Sequence, residues 1–178
     1  DNLIIIRKGD TENYFYIFGG KDERSQDLIQ GITLAGVFFD EVALMPESFV
    51  NQATGRCSVE GSKFWFNCNP DGPYHWFKVN WIDKSTGYLG KERVEQIRKK
   101  AAEEEKDPGL KEILYLHFTM DDNLSLSEEI KARYRSMYIG VFFKRYILGL
   151  WAAAEGVIYD MFDPEKHVKN IKEFFQIL

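Results

Sequence analysis

Two adjacent carboxylates, Asp40 and Glu41, follow directly after the apolar run of residues 34–39. A short apolar run that ends in acids predicts a buried central β-strand whose carboxyl end opens into a site, because a strand interior tolerates no unpaired charge. The pattern is that of a Walker B motif, in which the first acid holds Mg²⁺, usually through water, and the second orients or deprotonates an attacking water. Two solvated acids at a strand end are the alternative, since so short a motif also recurs by chance.

Two asparagines, Asn67 and Asn69, stand at the end of a second predicted buried strand, residues 62–67. Pro46 and a modest apolar stripe that stops near Gly55 predict a helix between the two strands. A strand–helix–strand unit gathers the carboxyl ends of parallel strands at one edge of a sheet. The two amide side chains would therefore lie within reach of a γ-phosphate or of its attacking water. A simple Asn-Pro turn is the alternative.

A basic segment with no acid in it runs from residue 131 to residue 145, interleaved with aromatic side chains. Such a segment could meet the phosphates of a nucleotide or of a DNA backbone, or it could be a solvated helix face. For DNA the candidate side chains are Lys131, Arg133, Arg135 and Lys144.

The composition bounds the class of protein. A chain of 178 residues is long enough for one well-cored domain, with or without a tail, and 44% hydrophobic with 29% charged residues is ordinary for a soluble protein. No apolar run is long enough to span a bilayer. The only cysteines, Cys57 and Cys68, have no zinc-site spacing and fit a reducing cytoplasm. A net charge of -5 does not indicate a protein whose surface as a whole is suited to binding nucleic acid.

The remaining pattern predicts short strands and helices. Apolar runs predict strands at residues 3–6, 14–18 and 113–118. Polar and amphipathic patterns predict a short helical turn capped by Ser25, a surface helix at residues 91–106 and a short helix at residues 141–148. Ser125 and Glu128 have the spacing of a capping box that opens a further helix. Three large aromatic side chains are expected in the core rather than as base-stacking platforms: Trp76, Phe77 and Trp81.

A phosphate-binding Walker A motif is absent from the chain. That motif needs a glycine five positions before a Gly-Lys pair, so that backbone N–H groups and the lysine can cradle phosphates. The Gly-Lys pairs begin at Gly20 and Gly90, and the earlier positions hold Phe15 and Ser85. Either the chain is the later part of a longer ATPase, or the Walker B interpretation is wrong.

The order of these motifs resembles the large subunit of tailed-phage terminase, the DNA-packaging motor, and in particular its PBSX-like branch in defective and temperate phages. The matching segments cover most of the chain, and Arg56 lies among them. They are FGGKDE (18–23), IQGIT (29–33), GVFFDEV (36–42), NCNPDGPYHW (67–76), DNLSL (122–126), GVFFKRYILGLW (140–151) and EGVIY (155–159).

This resemblance implies an α/β fold. It would be part of a P-loop NTPase domain of the additional-strand class, with a mainly parallel sheet flanked by helices and a small helical lid. Residues 1–73 would be the later part of the ATPase core, residues 74–150 the remaining core and the lid, and residues 151–178 a tether toward a nuclease domain with an RNase H-like fold.

The resemblance also implies roles for single residues. Asp40 would bind Mg²⁺, Glu41 would be the catalytic carboxylate, and Asn67 and Asn69 would belong to the motif that couples nucleotide state to movement. An arginine that serves as a finger in some terminases is replaced here by Gln30. The nucleotide-contacting arginine is then expected to be one of two others, Arg56 or Arg145.

The implied function is a viral or prophage motor that couples ATP hydrolysis, with ATP and Mg²⁺, to translocation of double-stranded DNA into a procapsid. It would act in the bacterial cytoplasm as a ring on the portal protein, with the terminase small subunit and without a membrane. This chain alone is expected neither to bind ATP tightly nor to hydrolyse it. The alternatives are a non-catalytic DNA- or protein-binding prophage remnant and a fragment of another P-loop motor, such as a helicase.

Overall fold

A computed structural model gives the fold of residues 2–154, and these are the residues described below. The predicted tether therefore lies outside the described residues from residue 155 onward. Along the described part, short strands and helices alternate, which confirms the α/β class. No helix in this part is both long enough and apolar enough to cross a membrane.

The chain begins with an antiparallel hairpin, as predicted. Strands β1 (Asn2–Lys8) and β2 (Thr11–Ile17) pair from end to end. Gly9 opens the two-residue loop between them with φ 60°, a conformation that glycine adopts without steric cost. Every residue of both strands is exposed, so the hairpin has no packed face within the described part of the chain.

A parallel strand pair connected by a helix follows, and it confirms the predicted strand–helix–strand unit. Strand β3 is Gly36–Phe39, helix α1 is Glu47–Gly55, and strand β4 is Lys63–Phe66. Strands β3 and β4 pair in parallel, with Gly36 opposite Lys63 and Phe39 opposite Phe66. Their carboxyl ends therefore lie at the same edge.

Only one face of this strand pair is covered. Phe39 and Phe66 stack with their ring centroids 5.1 Å apart on the face that packs against α1. On the other face Phe38 is 61% exposed and Trp65 is 53% exposed. The prediction that both strands are buried is wrong for that face, because no element of the described chain covers it. The buried core comprises Ile29, Phe39, Val42, Phe49, Val50, Ala53, Phe77 and Ile82.

The aromatic side chains after residue 73 extend this core, as predicted. Phe77 is buried, and Trp76 and Trp81 are partly buried against the same cluster. The Trp81 ring lies 4.8 Å from that of Phe66. These rings therefore support β4 rather than standing free for base stacking.

Helix α2 (Thr86–Glu103) replaces the predicted helix at residues 91–106. Ser85 caps it by accepting a hydrogen bond from the Tyr88 N–H at 3.3 Å, and Gly90 kinks it with non-helical φ and ψ of 75° and 163°. Only Val94 is buried, so α2 is a surface helix, as predicted.

The prediction of a strand at residues 113–118 is wrong. One isolated parallel bridge, between Ser85 and Lys111, precedes this segment, and among the described residues no backbone hydrogen bond joins the segment to β4. Instead, the segment and β4 both line a groove of about 850 Å³. The apolar run is present, but a strand also needs a hydrogen-bonded partner.

Helix α3 (Glu128–Met137) begins later than the predicted capping box. Ser127 is its cap and accepts a hydrogen bond from the Ile130 N–H at 3.3 Å, so the prediction of Ser125 as the cap is wrong. Ser25 is likewise not the cap of its own turn, which begins after Asp22. A short helix, α4 (Gly140–Phe142), continues into a wider turn at Phe143–Ile147, close to the predicted residues 141–148.

Candidate functional site

The structure brings the acidic pair and the asparagines together at the shared edge of β3 and β4. The side-chain carbonyl of Asn67 accepts a hydrogen bond from the Glu41 N–H at 2.7 Å. Its side-chain amide donates to Asp40 Oδ1 at 2.9 Å. The backbone of Asn67 continues the ladder, since its N–H donates to the Phe39 carbonyl at 3.0 Å and its carbonyl accepts from the Val42 N–H at 2.9 Å. One residue therefore fixes the position of both acids.

Glu41 adopts an unusual backbone conformation at this point. Its φ of 55° and ψ of 49° place a residue other than glycine in the left-handed region, which costs roughly 1–2 kcal/mol. The strand reverses here, and a short helical turn, Val42–Leu44, follows at once. The two hydrogen bonds from the Glu41 and Val42 N–H groups to Asn67 stabilise this reversal.

Asn69 faces the carboxylate of Glu41. Its side-chain amide nitrogen lies 3.4 Å from Oε1, and its backbone N–H lies 3.5 Å from Oε2. Both contacts are at the long end of the hydrogen-bond range. Asn69 therefore contacts Glu41 loosely, whereas Asn67 is bound tightly to the backbone beside it.

Cys68 lies between the two asparagines, and its environment was not predicted. Burial and then the negative charge of Glu41 raise the pKa of its thiol to about 11, while a hydrogen bond with the Ala43 backbone acts in the opposite direction. The thiol is therefore neutral near pH 7 and is not a nucleophile. In the sequence, the indication of this buried environment is the position of Cys68 between Asn67 and Asn69.

The side chains at this edge suit a magnesium ion held mainly by phosphate and water. Mg²⁺ is commonly bound by one or two carboxylates together with substrate phosphates and several waters. Asp40 is exposed and commits one oxygen to Asn67. Among residues 2–154, no cluster of three or more His, Cys, Asp or Glu side chains could enclose a metal ion. The donor set thus fits a water-mediated contact through Asp40.

The two candidate arginines do not join the acidic pair. The backbone carbonyl of Arg56, at the end of α1, accepts from the Leu34 N–H at 2.9 Å, which places this residue before β3. Strand β3 therefore lies between the backbone of Arg56 and Asp40. Arg145 forms an ion pair with Asp71 at 2.8 Å instead.

Two of the four predicted DNA contacts are engaged within the chain. Lys131 is buried, with its ammonium 3.1 Å from Glu128 Oε1 and 3.4 Å from the Asp121 carbonyl. Arg135 is paired with the Asp121 carboxylate. Arg133 and Lys144 are exposed, so they are the members of the set that the fold presents to solvent.

The comparison with protein families identifies the chain. The family described as the terminase large subunit, T4likevirus-type, N-terminal, matches residues 1–166. This chain belongs to the terminase large-subunit family. The family predicted from the motif order is confirmed, while the narrower PBSX-like branch stays a prediction. Membership in this family also argues against the alternative that the chain is a fragment of a helicase.

Solved structures of a large terminase resemble this terminase chain along nearly all of its length. The large terminase of a thermophilic bacteriophage matches with 62% sequence identity and a TM-score of 0.67, over 94% of this chain and 36% of that one. The complex of that terminase with ADP matches with 60% identity and a TM-score of 0.68, over 95% and 36%. Its complex with ATP-γ-S matches with 57% identity and a TM-score of 0.66, over 95% and 35%.

The terminase chain therefore spans about a third of the length of these solved relatives. A comparison with curated proteins gave no match.

Proposed function

We propose that these residues carry the Walker B half of the ATPase domain of a phage large terminase, a motor that couples ATP hydrolysis to translocation of double-stranded DNA into a procapsid. The observation that carries the proposal is the side chain of Asn67, which bonds to Asp40 and to the backbone of Glu41 across two strand ends. Family membership supports it, as do the ADP and ATP-γ-S complexes of the thermophilic phage terminase.

Each group at the edge has a role in this proposal. Asp40 would hold Mg²⁺ through water, and the ion would neutralise charge on the phosphate oxygens. Glu41 would orient or deprotonate the attacking water, because its carboxylate lies at the open end of the strands. Asn67 would fix the two acids relative to each other. Asn69, in loose contact with the Glu41 carboxylate, would take part in coupling the state of the nucleotide to movement.

The finer architecture belongs to the same proposal. Residues 1–73 would be the later part of a P-loop ATPase core of the additional-strand class, and residues 74–150 the rest of the core and a helical lid. Residues 151–178 would lead toward a nuclease domain. The exposed aromatic face at Phe38 and Trp65 supports a larger sheet flanked by helices, since such faces are normally covered in α/β proteins.

The proposed partners follow from the motor. Double-stranded DNA would be contacted through its backbone phosphates, and exposure favours Arg133 and Lys144 over Lys131 and Arg135 for this role. The portal protein, the small subunit and further copies in a ring would complete the motor in the bacterial cytoplasm. Arg56 stays a candidate finger toward a neighbouring subunit, because it lies away from the acids of its own chain.

The experiment that tests the proposal is Glu41→Gln in the polypeptide that also carries the phosphate-binding half. We expect hydrolysis of ATP to fall by at least ~100-fold, as for loss of a general base, while ATP binding is kept. Glu60→Gln, at an exposed loop position, is the matched control and should leave hydrolysis unchanged. Retained hydrolysis in Glu41→Gln would exclude Glu41 as the catalytic carboxylate. Hydrolysis by residues 1–178 alone would contradict this account of the site, and no hydrolysis by the longer polypeptide would favour the non-catalytic remnant.

A further inference from the structure

Arg145 is held in place by several interactions with other parts of the fold. Its side chain is only 16% exposed, and Nη1 lies 2.8 Å from Asp71 Oδ1. Its Nε and Nη2 groups donate to the Ala152 carbonyl at 3.0 Å and 2.8 Å. A guanidinium that satisfies three of its nitrogens inside the chain fixes the groups around it, because its fork of donors is planar and rigid.

Asp71 provides the carboxylate that Arg145 binds. Besides the ion pair, its carboxylate accepts from the Gly72 N–H at 2.6 Å, and its backbone carbonyl accepts from the Ala152 N–H at 3.0 Å. Asp71 is therefore tied to Ala152 directly and again through Arg145. We call these three residues the Arg145 clasp.

The clasp holds one end of the loop that carries Asn69. Asn67 anchors the other end through its backbone bonds to Phe39 and Val42. Between Asn67 and Asp71, across residues 68–70, no backbone group bonds to another backbone group among the described residues. Cys68, beside Asn69, packs against the core and bonds to the Ala43 backbone. Among the described residues, the hydrogen bonds of Asn69 itself reach only Glu41, at 3.4–3.5 Å. On the side toward residue 71, the position of Asn69 depends on where Asp71 is fixed.

We propose that Arg145 and Asp71 are positioning residues that hold Asn69 against the carboxylate of Glu41. Among the described residues, no hydrogen bond or ion pair joins either of them to the acidic pair, and both act through a loop of three residues. The inference rests on the proposed ATPase function only for its kinetic consequence. It also replaces the expectation that Arg145 contacts the nucleotide, since the guanidinium is committed to Asp71 and Ala152.

The kinetic test uses the polypeptide that hydrolyses ATP. Arg145→Gln and Asp71→Asn should each lower kcat by ~10-fold or more, because small displacements near reacting groups cost this much. KM for ATP should stay within ~2-fold, since neither residue binds the nucleotide in this proposal. Arg98→Gln removes an exposed ion pair with Glu112 and is the matched control with unchanged kcat.

The decisive comparison adds Asn69→Ala. If the clasp acts through Asn69, then Arg145→Gln should change kcat by less than ~2-fold in the Asn69→Ala background, because effects within one coupled unit are not additive. A full further loss in that background would overturn the proposal and indicate a general structural role. A raised KM for ATP would also overturn it and restore Arg145 as a nucleotide ligand. If Arg145→Gln does not fold, Asp71→Asn decides, because it keeps the backbone bond to Ala152.

A second readout needs no hydrolysis. In residues 1–178, the side-chain amide resonance of Asn69 should shift in nuclear magnetic resonance spectra of Arg145→Gln and Asp71→Asn, but not of Arg98→Gln. An unmoved Asn69 resonance in both clasp variants overturns the inference, whatever the ATPase assay shows. Absence of hydrolysis in the unmodified longer polypeptide, with a shifted Asn69 resonance, would instead count against the proposed function alone.

Discussion

Substitution of Asn67 tests the geometry of the acidic edge most directly. Asn67→Ala removes both side-chain hydrogen bonds, to the Glu41 N–H and to Asp40. Asn67→Asp keeps an oxygen that can accept from the Glu41 N–H, but replaces the amide donor with a second carboxylate beside Asp40. The two variants therefore differ in charge at a single contact of 2.9 Å.

The expected magnitudes follow from these contacts. A hydrogen bond contributes roughly 0.5–1.5 kcal/mol net, so Asn67→Ala should lower the free energy of unfolding by about 1–3 kcal/mol. Asn67→Asp loses one bond and adds repulsion between two carboxylates, which amounts to roughly 1.4 kcal/mol at ~3 Å in a water-like dielectric. Its deficit at pH 7 should be about 2–3 kcal/mol. Two adjacent carboxylates bind a proton more readily than an isolated one, so this deficit should shrink as the pH falls from about 6 to about 4.

Equilibrium unfolding in urea at pH 7 and at about pH 3.5 measures both effects. Asn67→Ala adds no carboxylate, so its deficit should change with pH less than that of Asn67→Asp. Asn51→Asp, at an exposed position of α1, serves as the control for adding one carboxylate. A deficit for Asn67→Asp that does not change with pH would refute the contact with Asp40. An unchanged free energy of unfolding in Asn67→Ala would refute the structural importance of the bridge.

Two further predictions test the surroundings of the site. Because the pKa of Cys68 is raised to about 11 by burial and by Glu41, its alkylation at pH 8 should be at least ~100-fold slower than that of an ordinary thiol. Glu41→Gln should accelerate it and leave unchanged the rate at Cys57, whose pKa is raised by burial alone. Phe39→Ala should cost about 3–5 kcal/mol in urea unfolding, whereas Phe38→Ala on the exposed face should cost less than ~1 kcal/mol; equal losses would contradict one-sided packing.

The part of the site that was predicted from sequence depends on local rules. Apolar runs that end in polar residues, joined by one helical stripe, were sufficient to place Asp40, Glu41 and Asn67 at a single edge, because parallel strands have one geometry. The same rules did not indicate the left-handed conformation of Glu41 or the raised pKa of Cys68. Both depend on contacts between the ends of two strands that lie 26 or more residues apart in sequence, such as that of Glu41 with Asn67.

The wrong predictions share one physical cause. The apolar run at residues 113–118 is a local property, whereas a strand exists only with a hydrogen-bonded neighbour, and none of the described strands pairs with it. The sequence around a basic side chain likewise does not show which groups will bind it in the fold. Lys131 is bound by the Asp121 carbonyl and by Glu128 of its own helix, and Arg145 is bound by Asp71. A count of charges therefore overstates the surface available to phosphate.

The conformation of Glu41 bears on the choice between the two interpretations of the acidic pair. Two acids that merely end a strand in solvent need no fixed geometry, and glycine would make the same reversal without steric cost. Instead, the chain holds a glutamate at φ 55° and stabilises it with a side chain from the neighbouring strand. Strain of about 1–3 kcal/mol persists only where surrounding contacts determine it, and such residues cluster at functional sites. The strained backbone therefore favours a working carboxylate at residue 41 over a solvated strand end.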